Sequence, residues 1–250
     1  FMISFRLRRQ KISAEKMIIA KLASNAISMI PWVKMIAVTG ALAMENADKN
    51  DDIDLMVVTS KNCLWIVRPL ATLLVSLFFK RRYPLPNAET NPPADAWSVS
   101  DWRAGNQKPI TNNNTICLNL WLDESALEIP VDQRNLYTAH ELAQMKPVVN
   151  KNGTYEKMMW ANRWGGKYLA NVWGRLKGRQ VNRLKKSFLS AFQPFSLLSL
   201  LNLLAFNLQF RYMKSKMTNE RVSLHSAFFH PGNRTDTILS RYDSLRHRYF

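Results

Sequence analysis

Cysteine is scarce in this chain of 250 residues, with Cys63 and Cys117 as its two copies. Cys63 falls in a predicted helix and Cys117 in a predicted strand among apolar neighbours. Buried free thiols are therefore favoured over a disulfide or a cysteine-based metal site. This excludes a disulfide framework, and a reducing cytoplasm is the expected setting.

Acidic residues are also few, at 18 against 35 lysines and arginines, which gives a net charge of +17. No Asp or Glu occurs between Lys157 and Thr218, whereas basic residues recur there and crowd between Arg175 and Lys186. Such an excess favours a polyanionic partner, meaning nucleic acid, a phosphate-rich substrate or an anionic membrane surface, and says nothing about the fold.

Several common motifs are missing: the chain contains no GxSxG, no Walker loop, no CxxC pair and no internal repeat. No short apolar signal region opens it, so we do not expect secretion. The length suits one or two domains with a sizeable core.

The most informative stretch runs from Met35 to Thr59. An apolar run leads into Gly40, a polar linker follows, and Asp52 and Asp54 open a second apolar run. In a strand these two carboxylates would project to one side about 7 Å apart. Such a pair suits a Mg²⁺ ion, and the backbone after a glycine turn can approach an anion. An ordinary surface hairpin with solvated aspartates is the alternative.

This arrangement resembles the signature of the nucleotidyltransferase superfamily related to DNA polymerase beta. The resemblance implies that Asp52 and Asp54 are catalytic residues that bind Mg²⁺, and that Gly40 and Ala41 seat the triphosphate. It implies transfer of a nucleoside monophosphate from a nucleoside triphosphate to a hydroxyl of an unknown acceptor. Ala41 departs from the family pattern, because serine is usual at that position.

The family pattern also uses a third carboxylate from a later strand. The next predicted strand, Thr115–Leu122, has none, and Asn119 stands where that acid is expected. An amide can ligate a metal but cannot act as a base. Asp123, just past the strand, is the best substitute for a catalytic acid, so either Asp123 fills the role or the site has two acids. Alternation predicts one apolar face for this strand, formed by Ile116, Leu118, Leu120 and Leu122.

The element pattern predicts an α/β fold of the α+β type. We expect a nucleotidyltransferase-like domain over residues 1–150, with a small mixed sheet and flanking helices, and a mostly helical basic region over 151–250. Residues 1–16 are predicted to be a frayed arm or the end of a truncated helix, and a helix from Ser13 is expected to end before Pro31. Lys61–Phe79 is predicted to be a buried helix rather than a membrane span.

Two further segments bear on partners. Lys80–Asn114 is predicted to be a loop beside the site, whose Trp97 and Trp102 could stack on a base but are more simply packing residues. Phe192–Phe210 is long and uncharged, with a polar stripe that leaves three alternatives open: a buried helix, an interfacial membrane helix or a span. The stripe is formed by Ser196, Ser199, Asn202 and Gln209.

Two functions follow from these observations. The first is a magnesium-dependent, cytoplasmic nucleotidyltransferase that uses a nucleoside triphosphate and a polyanionic acceptor such as RNA, or a small acceptor. The second is a catalytically reduced protein of the same fold that binds nucleic acid or an anionic membrane, as Ala41, Asn119 and the acid-free basic stretch suggest. The paired aspartates favour the enzyme.

Overall fold

We determined the architecture from a computed structural model, which describes residues 2–81, 114–174, 197–215 and 220–229, with a few positions beside them (217, 238–240, 242 and 244). Almost all of the predicted 80–114 loop, including Trp97 and Trp102, lies outside the described residues. So does the basic run from Arg175 to Lys186.

Helices and strands alternate through the first part of the chain and continue past residue 150. The elements are α1 (Met2–Ser28), β1 (Val33–Val38), α2 (Gly40–Ala43), β2 (Ile53–Thr59), α3 (Leu64–Phe78), β3 (Ile116–Asp123), α4 (Leu136–Gln144), β4 (Lys146–Asn150), α5 (Thr154–Ala161), α6 (Ala170–Gly174), α7 (Leu197–Lys214), β5 (Arg221–Val222) and β6 (Ser226–Phe228). Short 3₁₀ turns cover Val131–Gln133 and Arg163–Lys167.

The strands form one mixed sheet in the order β4-β1-β2-β3-β6-β5. β1 pairs antiparallel with β2 and β4, and β6 pairs antiparallel with β3 and β5. β2 and β3 are parallel, so the chain must cross over between them, and α3 lies in that crossover. The predicted α+β class is confirmed, and the sheet includes strands from both sides of the boundary predicted at residue 150.

α1, α3 and α7 cover one face of the sheet, which we call the first face. Alternate β2 residues, Ile53, Leu55 and Val57, pack there against apolar residues of α1 and α3 such as Ile27 and Trp65. The other face, called the second face, is covered by α4, α5 and α6. Met56 and Val58 of β2 contact that second core. Successive β2 residues thus enter opposite cores, as pleated geometry requires.

β3 contains one more residue than the matching part of β2. Leu55 pairs with Leu118 and the next residue, Met56, pairs with Leu120, so Asn119 forms a β-bulge. A bulge interrupts the alternation of side chains. Ile116 and Leu118 consequently pack in the first core, whereas Leu120 and Leu122 pack in the second. The prediction of a single apolar face was wrong because it assumed unbroken alternation.

The basic N-terminal segment is helical, so of the two alternatives for residues 1–16 the frayed arm was wrong, and the helix starts earlier than the predicted Ser13. α1 begins at Met2 and ends at Ser28, before Pro31 as predicted. Its first half is held by contacts to the chain between α2 and β2, described below. No helix within the described part of the chain combines the length and the apolar character needed to cross a membrane.

Candidate functional site

The aspartates lie at the sheet edge where β1 ends and β2 begins. Val38, the last residue of β1, pairs with Leu55 on one side and with Lys146 on the other. Asp54 is level with Cys117 of β3 in the parallel pair. Four neighbouring strands therefore contribute residues to this edge, and Gly40 begins α2 directly beside it.

Gly40 is required here for two separate reasons. Its φ of +64° is left-handed, a conformation that residues with a Cβ rarely adopt. A Cβ at this position would also lie 2.9 Å from Asp54 Oδ2. The backbone N–H of Thr39 donates to the backbone oxygen of Asp54 at 3.1 Å, which joins the turn to the strand. The turn thus brings the Gly40 backbone against the Asp54 carboxylate, with Ala41 following in α2.

The side chains of Asp52 and Asp54 are both half-buried and are held by neutral donors from β3 and its start. Asn119 Nδ2 donates to Asp54 Oδ1 at 2.8 Å, and the hydroxyl of Thr115 donates to Asp52 Oδ1. The bulge directs Asn119, which is 1% exposed, toward the pair. An amide therefore stands beside Asp54 where the family pattern has an acid.

A stripe on α1 fixes the loop that leads to Asp52. Its members recur every three or four residues, so they share one face of the helix. Arg6 donates to the Met44 carbonyl, Arg9 to the Asn46 carbonyl and the Asp48 carboxylate, and Lys16 to the Lys49 and Asp51 carbonyls, while Ser13 accepts from the Ala47 N–H. α1 thus anchors the loop at six positions before it enters β2.

Lys16 is a buried cation that contacts this acidic loop. Its side chain is buried, 2% exposed, and its Nζ lies 2.7 Å from the Asp51 carbonyl oxygen. Burial lowers the pKa of Lys16 below its ordinary value, while the charges of Asp51, Asp52 and Asp48 act in the opposite direction. Lys16 therefore offsets part of the repulsion among the aspartates from beneath the loop.

Asp123 does not join this site. It pairs in register with Thr59 at the far end of β2, whereas Asp54 pairs with Cys117 at the near end. Asp123 is fully buried and accepts hydrogen bonds from the N–H groups of Asn62 and Ser125, and His225 Nδ1 lies 2.8 Å from its Oδ2. Asp123 as the third acid is therefore a prediction that the structure corrects, because the carboxylate ties three segments together elsewhere.

A cavity of about 660 Å³ lies between α1 and the start of β4. Met17, Lys21 and Asn25 line it from α1, and Glu45 and Lys146 line it from the sheet edge. The last two form an ion pair of 2.7 Å. Neither aspartate of the pair lines this cavity, so it is a separate depression beside the α2 turn.

Sequence reasoning missed Thr115, Lys16 and the rest of the α1 stripe. Lys16 had a usable signal, because it continues the spacing of the buried residues Ala20, Ala23 and Ile27 along one helix face. A lysine on such a stripe must find buried acceptors. Thr115 had no comparable signal, because its partner is set by the register between β2 and β3.

The oxygen-bearing side chains at this edge are of the kinds that bind a magnesium ion. Mg²⁺ is commonly held by one or two carboxylates together with substrate phosphates. Asp52 and Asp54 supply two carboxylates, and Asn119 is an amide at the same place. Across the residues that the structure describes, no cluster of three or more His, Cys, Asp or Glu side chains suits a metal.

Neither a scan against models of protein families nor a search of curated proteins gives a match to this chain.

Proposed function

We propose that this protein is a magnesium-dependent nucleotidyltransferase, which transfers a nucleoside monophosphate from a nucleoside triphosphate to an acceptor hydroxyl and releases pyrophosphate. One observation carries the proposal: the left-handed Gly40 turn lies against the Asp54 carboxylate, at the edge where Asp52 also lies. This contact joins the two parts of the motif that the sequence separates by a loop.

Each residue of the edge would have a distinct role. Asp52 and Asp54 would hold Mg²⁺, which would neutralise charge on the triphosphate. The backbone at Gly40 and Ala41 would seat the phosphates, since no side chain at residue 40 intervenes. Thr115 and Asn119 orient the two carboxylates through the hydrogen bonds described above.

The proposal also includes the acceptor of the nucleoside monophosphate and the cellular compartment. The net charge of +17 supports a polyanionic acceptor such as RNA, although phosphate contacts carry no sequence information. A small hydroxyl compound is the other class of acceptor. The two cysteines without a disulfide support a cytoplasmic setting.

A second candidate function rests on Asn119. Its amide donates to Asp54 and cannot accept a proton from an attacking hydroxyl, so the site would bind a nucleotide without transferring it. Binding and transfer must therefore be measured separately.

The test is calorimetric binding of each of the four nucleoside triphosphates, with and without Mg²⁺. We expect magnesium-dependent binding that Asp52→Asn/Asp54→Asn weakens by at least about 100-fold, because the metal loses both carboxylates. Glu15→Gln/Asp132→Asn is the control, since it removes the same charge at two exposed positions. Equal binding by both double variants would overturn the site.

Pyrophosphate release separates the two candidates. The enzyme releases pyrophosphate from a bound triphosphate when RNA or a small hydroxyl acceptor is supplied. Tight, magnesium-dependent binding without release from any acceptor would favour the second candidate.

A further inference from the structure

The helix α7 contacts the protein through polar as well as apolar side chains. Asn62 Nδ2 donates to Ser199 Oγ at 3.1 Å, and Asn202 Oδ1 accepts from the Trp65 backbone N–H at 2.8 Å, while Ala205, Phe206 and Met213 pack against the first core. Gln209 Nε2 donates to the Trp65 carbonyl at 2.7 Å. The described members of the predicted polar stripe, Ser199, Asn202 and Gln209, thus lie on the side that contacts protein.

These contacts fix the rotation of α7 about its axis. Asn202 is fully buried and satisfies an N–H in the first turn of α3, where Cys63 provides no side-chain cap. Turning the leucines inward would leave that N–H without its acceptor. The orientation of α7 is therefore specified by these hydrogen bonds together with the packing of Phe206 against Trp65.

The consequence is a leucine-rich surface on two adjacent helices. We call it the α3–α7 apolar surface and define it by its exposed members: Leu70, Leu73, Leu77 and Phe78 of α3, and Leu197, Leu200, Leu201, Leu203, Leu204, Leu208 and Tyr212 of α7. Leu208 is 74% exposed and Phe78 is 70% exposed. Contiguous exposed apolar surface of this kind marks a binding face.

The charges around this surface have one sign. Neither α3 nor α7 contains an acidic residue. Lys80 follows the end of α3, and Arg211 and Lys214 lie in the last turns of α7, all three exposed. An apolar helical face with basic ends is the composition that binds an anionic lipid interface.

A protein partner fits this surface less well than lipid does. Protein interfaces obtain most of their affinity from tryptophan, tyrosine and arginine, and leucine is under-represented among such positions. Nine of the eleven members of the α3–α7 apolar surface are leucine, and the others are Phe78 and Tyr212. Lipid chains require no matching side chains, so a uniform leucine surface suits them.

We propose that the α3–α7 apolar surface docks this protein on an anionic membrane, with both helices lying in the interface. The proposal does not depend on nucleotide binding, because none of its residues belongs to the aspartate edge. It selects the interfacial alternative that the sequence left open for this segment.

Co-sedimentation of the full chain with lipid vesicles tests the proposal. We expect binding to phosphatidylcholine vesicles that contain phosphatidylglycerol, weaker binding to phosphatidylcholine alone, and weakening by added salt. Leu204→Gln/Leu208→Gln should lower the partition coefficient by about tenfold or more, since both side chains leave the lipid phase. Glutamine is a good helix former, so α7 should persist.

The matched control is Val131→Gln/Tyr168→Gln. These side chains are also exposed, at 76% and 46%, but they belong to the segments that cover the second face. The control should bind vesicles as the unchanged protein does. Circular dichroism and thermal unfolding on both double variants verify that each is folded.

Absence of binding to anionic vesicles at low salt would overturn the proposal, and so would equal binding by both double variants. Where vesicle binding is absent, sedimentation velocity would also look for a concentration-dependent dimer that Leu204→Gln/Leu208→Gln dissociates. That result would assign the surface to a second copy of this chain.

Discussion

The two ends of the parallel β2–β3 pair use aspartate in different ways. At one end Asp52 and Asp54 are half-buried and receive hydrogen bonds from the neutral side chains of Thr115 and Asn119. At the other end Asp123 is fully buried and surrounded by the donors of three chain segments. A carboxylate enclosed by donors stabilises the fold, whereas a partly exposed pair beside a glycine turn can still meet a ligand.

The largest expected effect is the loss of stability at the Asp123 end. Asp123→Ala leaves the N–H groups of Asn62 and Ser125 without their acceptor, and it should lower the free energy of unfolding by about 3–5 kcal/mol. Urea denaturation measures the change. Asp52→Ala is the comparison and should cost far less, because its side chain is only half-buried. Similar losses from both substitutions would remove the distinction between the two ends.

A negative charge introduced at Asn119 tests the opposite end of the β2–β3 pair, where Asp52 and Asp54 lie. Asn119→Asp puts a third carboxylate against Asp54, and repulsion should lower stability by about 1–4 kcal/mol in the absence of metal. Mg²⁺ should then raise the melting temperature of this variant more than that of the unchanged chain. Asn119→Ala, which loses the hydrogen bond without gaining charge, should be insensitive to Mg²⁺. An equal response from both variants would argue against a metal at this edge.

Alanine substitutions at two glycines distinguish the effect of backbone strain from the effect of displacing the Asp54 carboxylate. Gly40 and Gly153 both have left-handed φ, so an alanine at either should cost about 1–2 kcal/mol. A Cβ at Gly40 would meet Asp54 at 2.9 Å, whereas a Cβ at Gly153 would lie 3.5 Å from Glu156. Gly40→Ala should therefore also weaken magnesium-dependent nucleotide binding by about tenfold or more. If Gly153→Ala weakened binding equally, the effect would be one of stability alone.

The smallest expected effect is a difference in alkylation rate between Cys63 and Cys117, which lie at opposite ends of the β2–β3 pair. Burial, with a contribution from Asp123, raises the pKa of Cys63 to about 11, so little thiolate forms near pH 8. Cys117 is half-buried and level with Asp54. Iodoacetamide should label Cys117 first, as mass spectrometry of the peptides would show, and a nucleoside triphosphate with Mg²⁺ should slow that labelling. Faster labelling of Cys63 would contradict the assignment.

Local signals were enough to predict the elements that form the aspartate edge. Strands around Met35 and Val57 follow from apolar runs, and the turn between them follows from Gly40, whose positive φ the structure shows. A helix over residues 61–79 follows from its length and composition, but the prediction that it is buried was wrong, because Leu70, Leu73, Leu77 and Phe78 are exposed. Each of these predictions depends on residues that are neighbours in the chain.

The remaining features depend on contacts between distant segments. The bulge at Asn119 arises from pairing with β2, and neither strand alone contains a sign of it. The first half of α1 is polar and basic, and it is held by loop carbonyls that no periodicity reveals. For α7, the hydrophobic pattern correctly gave the polar stripe but could not show that Asn202 and Gln209 would face α3.

Asn119 is the extra residue of the bulge, and β2 has no residue in register with it. If it were deleted, Leu118 and Leu120 would become consecutive and could still pair with the consecutive residues Leu55 and Met56, with every later side chain on the face it occupies now. The pairing of β2 with β3 therefore does not require Asn119, but a chain shortened by that one residue would lose the amide beside Asp54 and the carbonyl that accepts from the Phe229 N–H at 2.9 Å.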